Sequence, residues 1–430
     1  MLKSRRSFLK LAALSACALP KYAFCFNGAD DRIKVAIVGC GRSGRKAACA
    51  MSKADSNVSI VALADAFTDC AFGMRDDLAR AIGASNRGGN RVFDVPDSRV
   101  FVGLDSYKAA VDCGVDAVVF ATPPVFRPRE FEAAVSAGKH AFLEKPVCVD
   151  PVQARKMWEL ARLAKDRKLT AVCGLQRRYH AGYREAMKRL HDGQIGRVIS
   201  AQCFWLLSHF DGMELKTPPG ADPEQLEYQL RNWALFTWAC GDHIVEQQVH
   251  NLDVMRWAFG RDPLHVLGVG GRSVDLPMPQ YGNRFSHFSV DYDYGDGVHL
   301  QAVCRQEPNT AQFVAERFVG TDGVLETSLF SRQTMRGKVN WTYDDAPDCV
   351  VEEYGEFLRS VRGGAALNTV AESADSAMMA VAGRLSAYSG LKFKYEWAKR
   401  RSKESLFPKE LKFGRMPIAA LPVPGKYKLV

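Results

Sequence analysis

No stretch of this 430-residue chain is apolar for long enough to cross a bilayer; the clearest apolar run, residues 11–19, is less than half of the roughly 20 residues a span needs. The twelve cysteines include no C-x-x-C pair, which excludes a paired redox or zinc-ribbon motif. Cys40, Cys49, Cys173 and Cys304 fall in predicted buried strands or helices and read as small core hydrophobes. Positive charge is scarce where it would matter. The net charge is +10, but residues 391–430 carry 11 Lys or Arg against 3 Glu and the first 21 residues carry 5 bases and no acid, so the body is near −3. No basic groove is implied, and no nucleic-acid partner is expected. An apolar fraction of 47% and a charged fraction of 25% are those of an ordinary globular chain, long enough for two cores.

The amino terminus carries an address. Ser4-Arg5-Arg6-Ser7-Phe8-Leu9-Lys10, followed by the short apolar run, matches the twin-arginine (Tat) export pattern, so residues 1–28 are expected to be a signal and the mature protein periplasmic. Leu14-Ser15-Ala16-Cys17 also resembles a lipobox, which leaves a lipid anchor at Cys17 as a second form. The Tat machinery carries proteins already folded in a reducing cytoplasm, in keeping with unpaired cysteines and a cofactor loaded before export.

Residues 30–44, DDRIKVAIVGCGRSG, hold a strand feeding a glycine-rich turn: Ile33, Val35, Ile37 and Val38 form a short β-branched run that breaks at Gly39-Cys40-Gly41-Arg42-Ser43-Gly44. A helix is predicted over 45–52, and a second strand over 57–64 leads to Asp65, 21 residues after Gly44. In that setting Gly39 permits the tight turn, Gly41 lets backbone approach a pyrophosphate, Gly44 lets helix pack on strand, and Asp65 accepts from a ribose 2′-hydroxyl. Arg42 and Ser43 complete the candidate phosphate cradle. With no Arg beside Asp65, NAD is favoured, with NADP possible.

Helical spacing over 66–82, strands over 100–103 and 116–120, a helix over 126–137 and a strand over 139–143 continue a βαβ ladder. Thr122 and Pro123 sit where ligands of doubly wound sheets bind, at the carboxyl end of a parallel strand. The next strand delivers Glu144-Lys145-Pro146 to the same edge, and Thr122, Pro123, Glu144 and Lys145 are assigned to the cofactor. Lys145 is placed to hydrogen-bond a substrate hydroxyl or relay its proton. Asp150 and Pro151 start a helix over 150–165, a strand spans 169–174, and a helix spans 181–191.

The order of G-x-G-x-x-G, Asp65, Ala121-Thr122-Pro123 and Glu144-Lys145-Pro146 resembles the Gfo/Idh/MocA family, the group of glucose-fructose oxidoreductase, inositol dehydrogenase and rhizopine catabolism, over about residues 31–390. The resemblance implies an α/β fold: an N-terminal Rossmann domain (29–155), a C-terminal α/β domain (156–390) with a large open, mostly antiparallel sheet, and homo-oligomers formed through that sheet. A basic arm (391–430) follows, able to wrap a neighbouring subunit or to face a membrane. The resemblance also implies that Lys145 helps position substrate and cofactor. It matches Gln176-Arg177-Arg178-Tyr179 to the family's arginine-aromatic turn, with Arg178 rather than Arg177 facing substrate. Arg127 departs from the His that many members carry there, so that contact is not carried over.

In the second domain, residues 214–227 form a charged, proline-bearing excursion, and Trp233 and Trp238 are candidates for stacking on a sugar. A helix over 243–253 would put His243, Glu246, Gln247, His250 and Asp253 on one face. Two imidazoles beside a carboxylate suit acid-base work on a hydroxyl-rich substrate. Glu246 and His250 hold the spacing of the family's Asp-to-His motif, with Glu in place of the commoner Asp. His250 is assigned as general base or acid with Lys145 its partner and Glu246 either touching substrate or supporting His250; His243, Gln247 and Trp233 join Arg178 as substrate contacts. The His-x-x-Glu-x-x-x-His spacing can also bind a metal, though the flanking Gln247 and Gln248 argue against it. Strands are predicted over 266–270, 285–294, 298–304, 313–319 and 324–328, with helices over 354–361 and 370–389. The loop holding Tyr281, Asn283, Arg284 and His287 is a further possible contact.

Together these features predict an exported oxidoreductase acting on a secondary hydroxyl of a sugar or cyclitol through a retained, internally recycled nicotinamide. The alternatives are an NAD-dependent glycosidase or lyase working by transient oxidation and elimination, and a non-catalytic exported sugar-binding protein.

Overall fold

Strand β1 (Ile33–Val38) has five buried residues and only Lys34 exposed, the near-continuous apolar pattern of a strand covered on both faces. It feeds α1 (Arg42–Ala54), β2 (Val58–Asp65) and α2 (Thr68–Ala81). After a short hairpin, β3 (Asn86–Arg87) with β4 (Asn90–Arg91), come β5 (Val100–Val102), α3 (Ser106–Asp112), β6 (Ala117–Phe120), α4 (Arg127–Ser136), β7 (His140–Leu143), α5 (Pro151–Asp166) and β8 (Ala171–Cys173). Six of these strands form a parallel sheet in the order β5-β2-β1-β6-β7-β8, and the reversal of order beside β1 opens a crevice at the carboxyl ends of β1 and β6. The computed structural model describes residues 32–82, 86–87, 90–209, 214–272, 277–344, 348–363 and 365–430. The twin-arginine stretch and Cys17 lie outside the described residues.

After α6 (Ala181–His191) and β9 (Val198–Leu207) the chain forms α7 (Leu226–Arg231), α8 (Thr237–Cys240), α9 (His243–Glu246) and α10 (Val249–Phe259). Strands β10 (His265–Gly271), β11 (His287–Asp293), β12 (His299–Gln306), β13 (Phe313–Gly320), β14 (Gly323–Thr327), β15 (Gln333–Gly337) and β16 (Trp341–Tyr343) follow, then α11 (Cys349–Gly363), α12 (Val370–Ser389), β17 (Phe393–Lys394) and α13 (Tyr395–Arg400). The second sheet runs β16-β15-β14-β13-β9-β12-β11-β10-β17, parallel only between β9 and β12. Its strands alternate buried and accessible residues, as in β12, because α10 and α12 cover one face and leave the other open. The small residues of α12 let it approach closely: a Cβ on Gly383 would lie 2.6 Å from the Tyr292 hydroxyl.

Two expectations need correction, and the arm makes contacts that were not predicted. Helix α1 starts at Arg42 rather than at residue 45, because the turn at Gly39 is tight enough for the first helical turn to form inside the glycine motif. Strand β8 lies beyond residue 155 yet pairs with β7, so the first sheet draws its outer strand from the stretch assigned to the second domain. The basic arm returns over its own chain. The Leu406 amide donates to Asp150 at 2.8 Å, Leu226 donates to the Gly414 carbonyl at 2.9 Å, and Asn283 donates to the Ala419 carbonyl at 3.0 Å, so the arm straps both domains. Asp150 also caps α5, as its position predicts, by accepting from Gln153 at 2.7 Å. Strands β15, β16 and β17 were not predicted; they are short and mixed in polarity, and only pairing with neighbours makes them strands. All ten cysteines among the described residues are free, and seven are buried. No helix among those residues is long and apolar enough to cross a membrane.

Candidate active site

The crevice beside β1 is a cavity of about 350 Å³. Gly39 sits at φ +98°, and a Cβ there would lie 2.5 Å from the Ala121 carbonyl carbon; a Cβ on Gly44 would lie 2.1 Å from the Gly39 oxygen. Backbone thus packs on backbone at both positions. Gly41 is different: exposed, with nothing within 4 Å of a built Cβ, it leaves the start of α1 open, and no side chain caps that helix. Uncapped amides at a helix N-terminus beside open space suit a pyrophosphate. Arg42 and Ser43 open that helix, Arg42 exposed and Ser43 half-buried.

Asp65 ends β2 at the cavity wall and accepts from the Cys40 amide at 2.7 Å and the Phe67 amide at 2.9 Å. Each oxygen keeps lone-pair capacity for a ribose hydroxyl. Burial raises the Asp65 carboxyl above its usual range, while the two amides oppose that rise. The far wall comes from the second domain. Arg231 at the end of α7 donates to both oxygens of Asp69 at 2.9 and 3.0 Å and lies 4.1 Å over the Phe67 ring. Trp233 lines this same cavity and is half-buried, which puts it at the cofactor side rather than at a separate sugar platform.

The carboxyl ends of β6 and β7 form the opposite lip. Thr122, Pro123 and Glu130 all line the cavity, and the Thr122 hydroxyl donates to the Glu130 carboxylate at 2.7 Å. The Glu144 carboxylate leans toward β8, where a Cβ on Gly174 would lie 3.1 Å from Oε2, and burial raises its pKa. Glu144 is not among the residues lining the cavity. Lys145 Nζ donates to the Glu246 carbonyl at 2.6 Å and to Glu246 Oε1 at 2.8 Å.

That double contact depends on a feature the periodicity did not reveal. Residues 243–253 are not one helix. The chain breaks at Gln247 and Gln248 between α9 and α10, and the His250 amide bonds to the Gln247 carbonyl at 3.3 Å. In an unbroken helix the Glu246 carbonyl would accept that amide; the break releases it to Lys145. Gln247 sits half-buried in the break. The continuous polar stripe is therefore divided. His243 is fully buried with neither ring nitrogen hydrogen-bonded, so it presents no surface to a substrate. Burial, then the charges of Arg284 and Lys145, holds it well below the ordinary histidine range.

His250 stacks on Trp205 of β9 with ring centroids 5.6 Å apart, and its Nδ1 is buried without a partner. Burial first and the Lys145 cation second hold its pKa well below the ordinary range, so the imidazole is neutral near pH 7. Glu246 gives Oε1 to Lys145 and makes no hydrogen bond to His250; its Oε2 is buried without a partner. Sequence reasoning missed Trp205 because a strand tryptophan carries no local mark of an imidazole packed on it. Among the described residues no three His, Cys, Asp or Glu side chains converge, so the metal reading of His243, Glu246 and His250 has no donor set.

Arg178 also departs from expectation. Its guanidinium donates to Asp253 at 2.8 and 2.9 Å and lies 5.2 Å over Trp257, tying the 176–179 turn to α10 instead of facing the cleft. Asp253 is only 1% exposed, so loss of its partner strands a buried charge. Arg178→Ala is expected to lower stability by about 3 kcal/mol in urea unfolding with KM unchanged. The loop residues Asn283 and Arg284 are likewise buried, Asn283 in holding the arm, while Trp238 spends its indole N–H on Gln229 at 2.7 Å.

Residues 33–171 match the oxidoreductase family with an NAD-binding Rossmann fold known as Gfo/Idh/MocA. An inositol 2-dehydrogenase of Rhizobium meliloti is 25% identical over 58% of this chain, and the chain spans 62% of that relative, under two thirds of its length. The scyllo-inositol 2-dehydrogenase (NAD(+)) of Bacillus subtilis is 23% identical over 78% of this chain and 88% of its own. The structure of a levoglucosan dehydrogenase in complex with NADH and levoglucosan superposes with a TM-score of 0.67 at 15% identity, covering 85% of this chain and all of that one, which shows a shared fold. With the glycine-rich turn and the six-stranded parallel sheet in place, residues 33–171 match the NAD-binding Rossmann domain of the Gfo/Idh/MocA oxidoreductases, and the chain as a whole shares the fold of the solved dehydrogenases.

Proposed function

We propose that this chain is an exported, NAD-dependent dehydrogenase of a secondary hydroxyl on a cyclitol or sugar, with a resident cofactor recycled on the protein. The observation that carries this reading is the Lys145–Glu246 pair, at 2.8 Å, set at the carboxyl end of β7 and near enough to the neutral His250 for the lysine charge to act on that imidazole. The cradle fits a dinucleotide: Gly41 leaves room that any side chain would fill, α1 offers uncapped amides, and Asp65 keeps lone pairs toward the cavity. When bound, the nicotinamide supplies the two-electron acceptor for the carbinol C–H. Lys145 donates a hydrogen bond to the substrate oxygen and is oriented by the Glu246 carbonyl and carboxylate. His250 takes the hydroxyl proton on a neutral ring nitrogen, and the nearby cations oppose its premature protonation. The names of the Rhizobium meliloti and Bacillus subtilis relatives favour inositols as the first substrates to try.

Export rests on the twin-arginine stretch, and a resident cofactor would spare an exported enzyme the search for free nicotinamide outside the cytoplasm. The latch of Arg231 on Asp69 and Phe67 supports retention, since it ties the second domain across the cavity that holds the cofactor. Asp69 is 65% exposed, so the ion pair is weak and the ring contact adds a similar amount. Arg231→Ala is therefore expected to speed release of bound NADH by about tenfold, worth ~1.4 kcal/mol, followed by the decay of NADH fluorescence on dilution into excess NAD.

The functional test is the absorbance of the purified protein near 340 nm before and after adding a panel of inositols and aldoses. Reduction of co-purified nicotinamide by one of them supports the reading. A protein that binds neither NAD nor NADP would sink it, and aglycone release from aryl glycosides without net NADH would shift it to redox-neutral elimination.

A further inference from the structure

The geometry points to Arg127 as a positioning residue that holds Lys145 in register with the glycine-rich turn. The proposal rests on the role given to Lys145 above. Arg127 opens α4 and is 1% exposed, an unusual place for a guanidinium. Its Nε donates to the Glu144 carbonyl at 2.9 Å. Nη2 donates to the Thr122 carbonyl, and Nη1 donates to the Thr122 hydroxyl and, at 3.1 Å, to Glu130 Oε2. The two carbonyls lie just past the paired parts of β6 and β7, where the sheet ladder supplies no donor. One planar fork thus spans the ends of two adjacent strands, and Glu130, itself 2% exposed, balances the charge.

The consequence is a rigid path between the halves of the site. The turn at Gly39 abuts Ala121 so closely that a Cβ would lie 2.5 Å away. Ala121 precedes Thr122, Arg127 ties Thr122 to Glu144, and the next residue is Lys145. A lysine at 127 offers one nitrogen with no planar fork, and a histidine has two donors at most, so neither spans both carbonyls and the hydroxyl at once. Without the tie, the strand ends are free to shift relative to each other, and Lys145 with them.

The test uses the full chain with NADH, comparing wild type, Arg127→Lys and the milder, near-isosteric Glu130→Gln, which keeps the guanidinium but removes its counter-charge. Three quantities are read: NADH affinity by fluorescence titration, the acylation rate of Lys145 by acetic anhydride followed by peptide mass spectrometry, and kcat on whichever panel compound reduces the cofactor. Arg127→Lys is expected to bind NADH nearly as wild type, to expose Lys145 to severalfold faster acylation, and to lose about 100-fold in kcat, the cost of a displacement near 1 Å. Glu130→Gln should also leave NADH affinity near wild type and move acylation and kcat the same way but less. Unchanged Lys145 acylation in both variants, or a fall in NADH affinity and thermal stability alone, would overturn the proposal and leave Arg127 a core ion-pair residue. Lys145→Met run in parallel separates the two claims. If it turns over normally the role of Lys145 fails, while faster Lys145 acylation in Arg127→Lys would still stand.

Discussion

Lys145→Met is expected to reduce turnover by about 1,000-fold, within the range for loss of a positioned proton donor, while the protein still binds NADH. The ammonium contacts both the carbonyl and the carboxylate of Glu246, and no neighbouring group replaces it. Methionine keeps the length and apolar stem but leaves Glu246, 8% exposed, without its counter-charge. Unfolding in urea should therefore also show a loss of about 2–3 kcal/mol. A second signature separates chemistry from stability. The Lys145 charge helps hold His250 below its ordinary range, so removing it should let the His250 pKa rise, read from the imidazole resonances by NMR titration. Turnover within tenfold of wild type would rule out Lys145 as a catalytic group.

Gly41→Ala and Gly44→Ala should fail in different ways. Gly41 has φ −81° and ψ −162°, an extended conformation open to alanine, and no protein atom lies within 4 Å of the new methyl. Gly41→Ala is expected to melt like wild type but to bind NAD roughly 100-fold more weakly, as if two charge-assisted hydrogen bonds of about 1.5 kcal/mol each were lost. In Gly44→Ala the methyl would meet the Gly39 oxygen at 2.1 Å, a backbone contact that cannot swing aside. That variant should lose both binding and stability in the first domain. Fluorescence titration with NADH alongside thermal unfolding checks both. Equal NADH affinity for Gly41→Ala and wild type would move the pyrophosphate away from this turn.

Much of the first domain was legible because its signals are local. A β-branched run ending in G-x-G-x-x-G states its own turn geometry, and the predicted strand ends bring Asp65, Pro123 and Lys145 to one edge of one sheet. The candidate residues of the second domain were legible as types but not as contacts. His250 and Glu246 stood out by spacing, yet the spacing alone predicted an unbroken helix. The start of the short helix α9 is set by its N-cap Asp242, which is fully buried at φ +80° with its carboxylate held by the Phe285 amide and the Tyr388 hydroxyl. Tyr388 lies on α12, far along the chain, and no window of sequence contains both ends of that constraint.

Long polar side chains were the least legible of all. Arg177, Arg178, Arg127 and Arg231 look alike in sequence, and the fold gives each a different partner: Glu316, Asp253, two strand-end carbonyls and Asp69. The basic arm is a similar case, since it hydrogen-bonds to Asp150, Glu224 and Asn283, residues far away in the sequence. By itself, then, the sequence determined the Rossmann domain and its glycine-rich turn and marked Lys145 and His250 as candidates, because short-range backbone preferences and turn chemistry write those features within a few residues. Only the tertiary structure decided which carbonyl Lys145 meets, which arginine faces inward and what covers the cofactor cavity, because a charged side chain settles on whichever distant partner the packed core leaves within its reach.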